Sequence, residues 1–107
     1  MNAQHTPGQW FAVGHWVEHE SDDEPDICNC NPASMDQEGR DDDEICANAR
    51  LIAAAPYMLE VLRECAQKFR LYENHYANKR DLVKESLNRD MATMCEVAIS
   101  SATGGEE

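Results

Sequence analysis

Apolar residues recur along this chain in two periods, one extended and one helical. Residues 10–19, WFAVGHWVEH, are rich in aromatic and β-branched side chains and predict strand. Gly14 predicts a bulge or tight turn that splits this run into two strands. The polar stretch 20–26, ESDDEPD, reads as a turn, and residues 27–30, ICNC, as a short third strand ended by Asn31-Pro32. The opening, residues 1–9, is irregular with a turn at Thr6-Pro7-Gly8, and residues 33–40 read as a loop.

From residue 45 the period becomes helical. Ile45, Ala49, Ile52 and Pro56 follow one buried stripe, and the acidic run Asp41–Glu44 sits where a helix start favours a cap and negative charge. Pro56 has no N–H and clashes with the carbonyl four residues back. The first helix should therefore end near Ala55 and a second begin at the proline. The second carries Met58, Leu62, Cys65, Phe69, Tyr72 and Tyr76 at spacings of 4, 3, 4, 3, 4. That makes a heptad-like stripe about 30 Å long at about 1.5 Å per residue. Asp81 can cap a last helix in which Leu87, Met91, Met94 and Ala98 repeat the spacing, flanked by Leu82, Cys95 and Ile99. Residues 100–107 read as a fraying tail.

The fold predicted is α+β in a single domain, 1–107. A small antiparallel β-sheet of about three strands occupies an acidic unit (1–44). A Pro-kinked helix pair and a long antiparallel helical hairpin follow (45–102), then the tail (103–107). The hairpin stripe is long relative to so small a sheet, which points to a homodimer burying the remainder.

Charge changes this picture more than composition does. The net charge is −12, and residues 1–44 hold twelve Asp/Glu against one Arg. No basic face is available for direct nucleic-acid binding or for an anionic membrane, whereas a protein partner with a basic surface is well matched. The longest apolar run, residues 51–55, is too short to span a membrane, and no basic-then-apolar leader precedes it. Five cysteines without framework spacing read as free thiols in a reducing, cytoplasmic setting.

For chemistry, the residues predict little. There is no glycine-rich phosphate loop and no nucleophile or zinc-protease motif, so no catalytic residues, metal or cofactor are expected and the chain reads as a non-enzyme. His15, His19, Cys28 and Cys30 are a poor match to zinc spacing. If Val13, Val17 and Ile27 share the core face, the histidines lie with them and the thiols point away. The acidic set Asp22, Asp23, Glu24, Asp41, Asp42, Asp43 and Glu44 is the leading partner-binding candidate, able to imitate the charge of nucleic acid. A second candidate set would take a nucleotide ligand: Trp10 and Trp16 for stacking, with Arg50, Arg63 and Arg70 for phosphate. The plainer expectation for Trp10, Phe11 and Trp16 is that they build the sheet's core.

Two motifs carry a resemblance. His5-Thr6-Pro7-Gly8-Gln9-Trp10, then Asn48-Ala49-Arg50-Leu51-Ile52-Ala53-Ala54-Ala55-Pro56 followed by Leu59 and Leu62, resemble a widespread family of small phage and prophage proteins. Those proteins begin HTPGPW, pass through a short β-region and continue NARLIAAAPELLEAL. Residues 97–104, VAISSATG, are similar to their closing AIAKATG. Gln9 replaces the usual proline, and Tyr57-Met58 replace Glu-Leu. The resemblance implies a phage accessory protein and carries over no residue-level role. Proteins of this kind commonly bind and block a host or anti-phage defence factor, or sequester a cyclic-nucleotide or nucleotide-derived signal; a structural or regulatory adaptor is the third class.

Overall fold

The computed structural model describes residues 4–31 and 41–105. Strands β1 (Trp10–Val13), β2 (Trp16–His19) and β3 (Cys28–Asn29) precede helices α1 (Asp42–Asn78) and α2 (Leu82–Thr103). The fold is α+β, a three-stranded antiparallel sheet of order β1-β2-β3 with two long helices in a hairpin. The loop expected over 33–40 lies outside the described residues. The chain divides into two compact units, His5–Pro56 and one made mainly of Tyr57–Glu107.

In the first unit, the split of the apolar run is where Gly14 placed it. Gly14 sits at φ 59°, a left-handed conformation that costs glycine little, and the hairpin pairs Val13 with Trp16 and Trp10 with His19. That register, with alternation along each strand, puts Trp10, Ala12, Val17 and His19 on one face and Phe11, Val13, Trp16 and Glu18 on the other. β3 pairs Cys28 with Val17 and Asn29 with Trp16, so Cys28 joins the Val17 face. The expected grouping of Val13 with Val17 is therefore wrong, because the turn at Gly14-His15 shifts the alternation between β1 and β2. The aromatic-core expectation fails for Phe11 and Trp16, while Trp10, on the Val17 face, is half-buried. Val17 is fully buried, while Phe11 is 42% and Trp16 44% exposed. Among the described residues of this unit, the other buried apolar ones, Ile45 and Ala49, lie in the first turns of α1.

α1 is one 37-residue helix, so the break expected at Pro56 is absent. Its start matches expectation: the Asp41 Oδ1 accepts from the Glu44 amide at 2.8 Å, and Asp42, Asp43 and Glu44 fill the first turn. Pro56 forfeits one backbone hydrogen bond, but alanine- and leucine-rich turns on both sides carry the helix through. The boundary between the two units falls at this residue. By length and composition alone α1 could cross a membrane, with Arg50 and Glu60 inside its apolar stretch.

In the second unit Leu59 and Ala66 from α1 pack with Cys95 and Ile99 from α2, with Leu62, Cys65 and Phe69 against them. Arg70 meets Glu96 while Glu73, farther along α1, meets Arg89, farther back along α2. The hairpin is antiparallel. Asp81 caps α2 as expected, accepting from the Lys84 amide at 3.1 Å. The helix continues to Thr103 and ends at Gly104 in the left-handed region (φ 73°), so the tail begins later than residue 100. The buried stripe is turned by about one residue from the predicted one: Ala92, Cys95 and Ile99 are buried, while Leu87, Met91 and Met94 are 59%, 36% and 65% exposed.

Candidate functional site

The seven acidic candidates occupy two places in the first unit. Asp22, Asp23 and Glu24 lie in the turn after β2, all exposed. The Ser21 Oγ accepts from the Asp23 amide at 3.3 Å and the Ser21 carbonyl from the Glu24 amide at 3.2 Å, which gives the turn a set shape. Asp41, Asp42, Asp43 and Glu44 start α1, also exposed. His15, in the β1–β2 turn, meets Asp42 at 3.3 Å and fastens that turn to the start of the helix. The β1–β2 turn and the Asp22–Glu24 turn leave opposite ends of β2, a strand about 13 Å long at about 3.3 Å per residue. The acidity is thus presented as two patches.

The nucleotide candidates are not brought together in the same way. Trp10 and Trp16 face opposite sides of the sheet and cannot form one platform. Trp16 is accessible beside Phe11 and Val13. Arg50 is exposed on α1, within the same unit as the tryptophans. Arg63 lines a shallow depression on the hairpin with Gln67, Glu96 and Ser100.

Arg70 is fully engaged. Its Nε and Nη2 donate to the two carboxylate oxygens of Glu96 at 3.0 and 2.6 Å, and Nη1 donates to Glu73 at 2.8 Å. Arg89 donates to the other Glu73 oxygen at 2.8 Å and to Glu85 at 2.6 Å. This chain of charge-assisted bonds ties α1 to α2 along one side of the hairpin. Hydrogen bonds from Arg70 and Arg89 hold the Glu73 carboxyl below its ordinary value, and those from Arg70 do the same for Glu96. A carboxylate with a lowered folded-state pKa adds stability above its unfolded pKa and loses it as pH falls through the folded one. The expected result is that melting temperature declines on acidification below about pH 4.5. Protonation elsewhere relieves the net negative charge and acts oppositely. The comparison that isolates the network is with Glu73→Gln, whose acid-side decline should be shallower.

The thiol and imidazole candidates form no metal centre: among the described residues no three His, Cys, Asp or Glu side chains converge. Cys28 and Cys30 Sγ atoms lie 3.9 Å apart. Burial, then the hydrogen bond with Cys30, pushes the Cys28 thiol up, away from the thiolate that metals and electrophiles require. His19 is committed elsewhere, donating from Nε2 to the Pro7 carbonyl at 2.6 Å and accepting at Nδ1 from the Ser21 amide at 3.0 Å.

Residues 1–106 match the family described as Salmonella phage P22 protein Y8K6. The chain belongs to that family. No curated protein and no solved structure matches it.

In this phage P22 Y8K6 family member, the N-terminal HTPG-x-W run is a clasp. The Trp10 indole N–H donates to the Thr6 carbonyl at 3.1 Å, and His5 stands edge-on to that ring at 6.0 Å. Gly8, at φ 94°, passes so close to His19 and Glu20 that a Cβ would fall 2.7 Å from each. The positive φ and the His19 ring, held by its bond to the Pro7 carbonyl, together favour glycine there. Sequence reading missed both the clasp and the arginine network, although the Arg70/Glu73 and Glu85/Arg89 spacings are those of paired charges on one helix face.

Proposed function

We propose that this protein is a phage accessory protein that works by binding rather than catalysis. In this reading it antagonises a host or anti-phage defence factor in the cytoplasm of the host cell. The observation that supports this is the pair of exposed acidic patches, Asp22–Glu24 and Asp41–Glu44, held on one compact unit. Asp22, Asp23, Glu24 and Asp43 make no ion pair with another described residue, so their charge is available to a basic groove that ordinarily holds nucleic acid. The test is phage plating on a defence-carrying host that expresses the protein. Neutralising the patches (Asp22→Asn, Asp23→Asn and Glu24→Gln, or Asp42→Asn and Asp43→Asn) should each lower plating at least tenfold. Unchanged plating with both patches neutralised sinks the reading.

The exposed Trp16, Phe11 and Val13 face favours a second reading, sequestration of a nucleotide-derived signal by stacking. The occupied Arg70 weakens it. A rise of several degrees in melting temperature with one cyclic di- or trinucleotide, lost in Trp16→Ala, supports this reading. Silence in both assays leaves the adaptor role.

A further inference from the structure

We infer that the apolar side of the helical hairpin is the interface with a second copy of this chain, making a four-helix dimer. The two sides of the hairpin differ sharply. One side is polar: Arg63, Gln67, Arg70 and Asn74 on α1 and Thr93, Glu96 and Ser100 on α2, the side that carries the Arg70–Glu96 bond. On the opposite side, at heptad spacing, stand Met58, Cys65 and Tyr72 on α1, with Leu87, Met91, Met94 and Ala98 on α2. Because the helices are antiparallel, a step back from Leu59 or Ala66 and from Cys95 or Ile99 turns toward the same side of the pair. These two stripes therefore form one largely apolar face, bordered by Lys68 and, near the turn, by Lys84, whose ammonium lies 5.4 Å from the Tyr76 ring. Met58, Tyr72 and Met94 on it are 46%, 52% and 65% exposed.

Size and charge select the occupant. α2 has 22 residues, so the face is about 33 Å long and two helices, about 20 Å, wide. Its projection is about 660 Å², of the order of the ~800 Å² per partner of a standard interface. Residues 57–107 hold seven Lys/Arg and nine Asp/Glu, two of the latter at the extreme C-terminus, so this unit carries little of the net charge and the acidity lies mostly elsewhere. Two such faces meet without repulsion, and one self-complementary surface suits two-fold symmetry. An anionic lipid surface, in contrast, would meet a chain of net charge −12. The inference uses none of the acidic-patch residues, so it stands or falls separately from the proposed function.

The experiment is light scattering of the full chain at tens of micromolar. A dimer has twice the 12.1 kDa of one chain, and a monomer at that concentration overturns the inference. Monomer that sediments with phosphatidylcholine–phosphatidylserine vesicles overturns it in favour of lipid. Leu87→Glu with Met94→Glu should give a 12.1 kDa species of unchanged helical circular dichroism. Gln67→Glu, on the polar side, should leave the dimer intact. If the double variant unfolds, Met94→Gln replaces it, expected to weaken dimerisation at least tenfold. A dimer as tight as wild type in Met94→Gln or the folded double variant refutes the assignment.

Discussion

Replacing Ile99 with alanine should destabilise the protein by about 3 kcal/mol, the middle of the range for large-to-small changes at buried sites. Ile99 is 6% exposed and closes the cluster with Leu59, Ala66 and Cys95. Its neighbours across the hairpin are small or already in contact, and backbone held in two helices cannot collapse into the space left behind. The loss therefore includes a cavity cost as well as lost burial. Urea unfolding followed by circular dichroism measures it. Ser100→Ala, next along the helix and exposed, should stay within about 0.5 kcal/mol of wild type. A loss below about 1 kcal/mol for Ile99→Ala would mean that this cluster does not hold the helices together.

Pro56→Ala should act in the opposite direction. In a helix interior proline is about 3 kcal/mol less favourable than alanine, through a missing N–H and the clash with the preceding turn. Proline also restricts the unfolded chain, which offsets about 0.4–1 kcal/mol of that difference. The net gain expected is about 2 kcal/mol, read as a higher urea midpoint at unchanged slope. No gain would show that the turn around Pro56 has relaxed enough to remove the strain.

These two residues also mark what could be read from the amino acids. The strands, the turn at Gly14, both helix caps and the antiparallel hairpin follow from local chemistry that few neighbours can override. Pro56 was misjudged because a local rule, the lost hydrogen bond, competes with helix propensity summed over a dozen flanking residues. The hairpin stripe was misjudged by one position for a different reason. Two stripes with the same 3-4 spacing run side by side, and the larger side chains, Met58, Leu87, Met91 and Met94, occupy the one that faces outward. The inner stripe sets Leu59 and Ile99 beside the small Ala66, Ala92 and Cys95, which let the helices approach, so volume alone misleads where contact decides. The acidic residues were legible as a group. Their division into two patches was not, since it depends on which end of β2 each loop leaves. The pairing of Arg70 with Glu96, 26 residues apart, needed the hairpin itself.

The closure of that hairpin sets an order of events. Only Lys79, Arg80 and Asp81 separate α1 from α2. Contacts between the helices therefore grow steadily more distant along the chain: Glu73 and Arg89 are 16 residues apart and Arg70 and Glu96 are 26, with Leu59 and Ile99 farthest from the turn. The entropy lost on closing a loop rises with its length. Folding of this unit is therefore expected to zip from the turn, with the ion network engaging before the Leu59–Ile99 end, and unfolding to open from the end nearest Pro56.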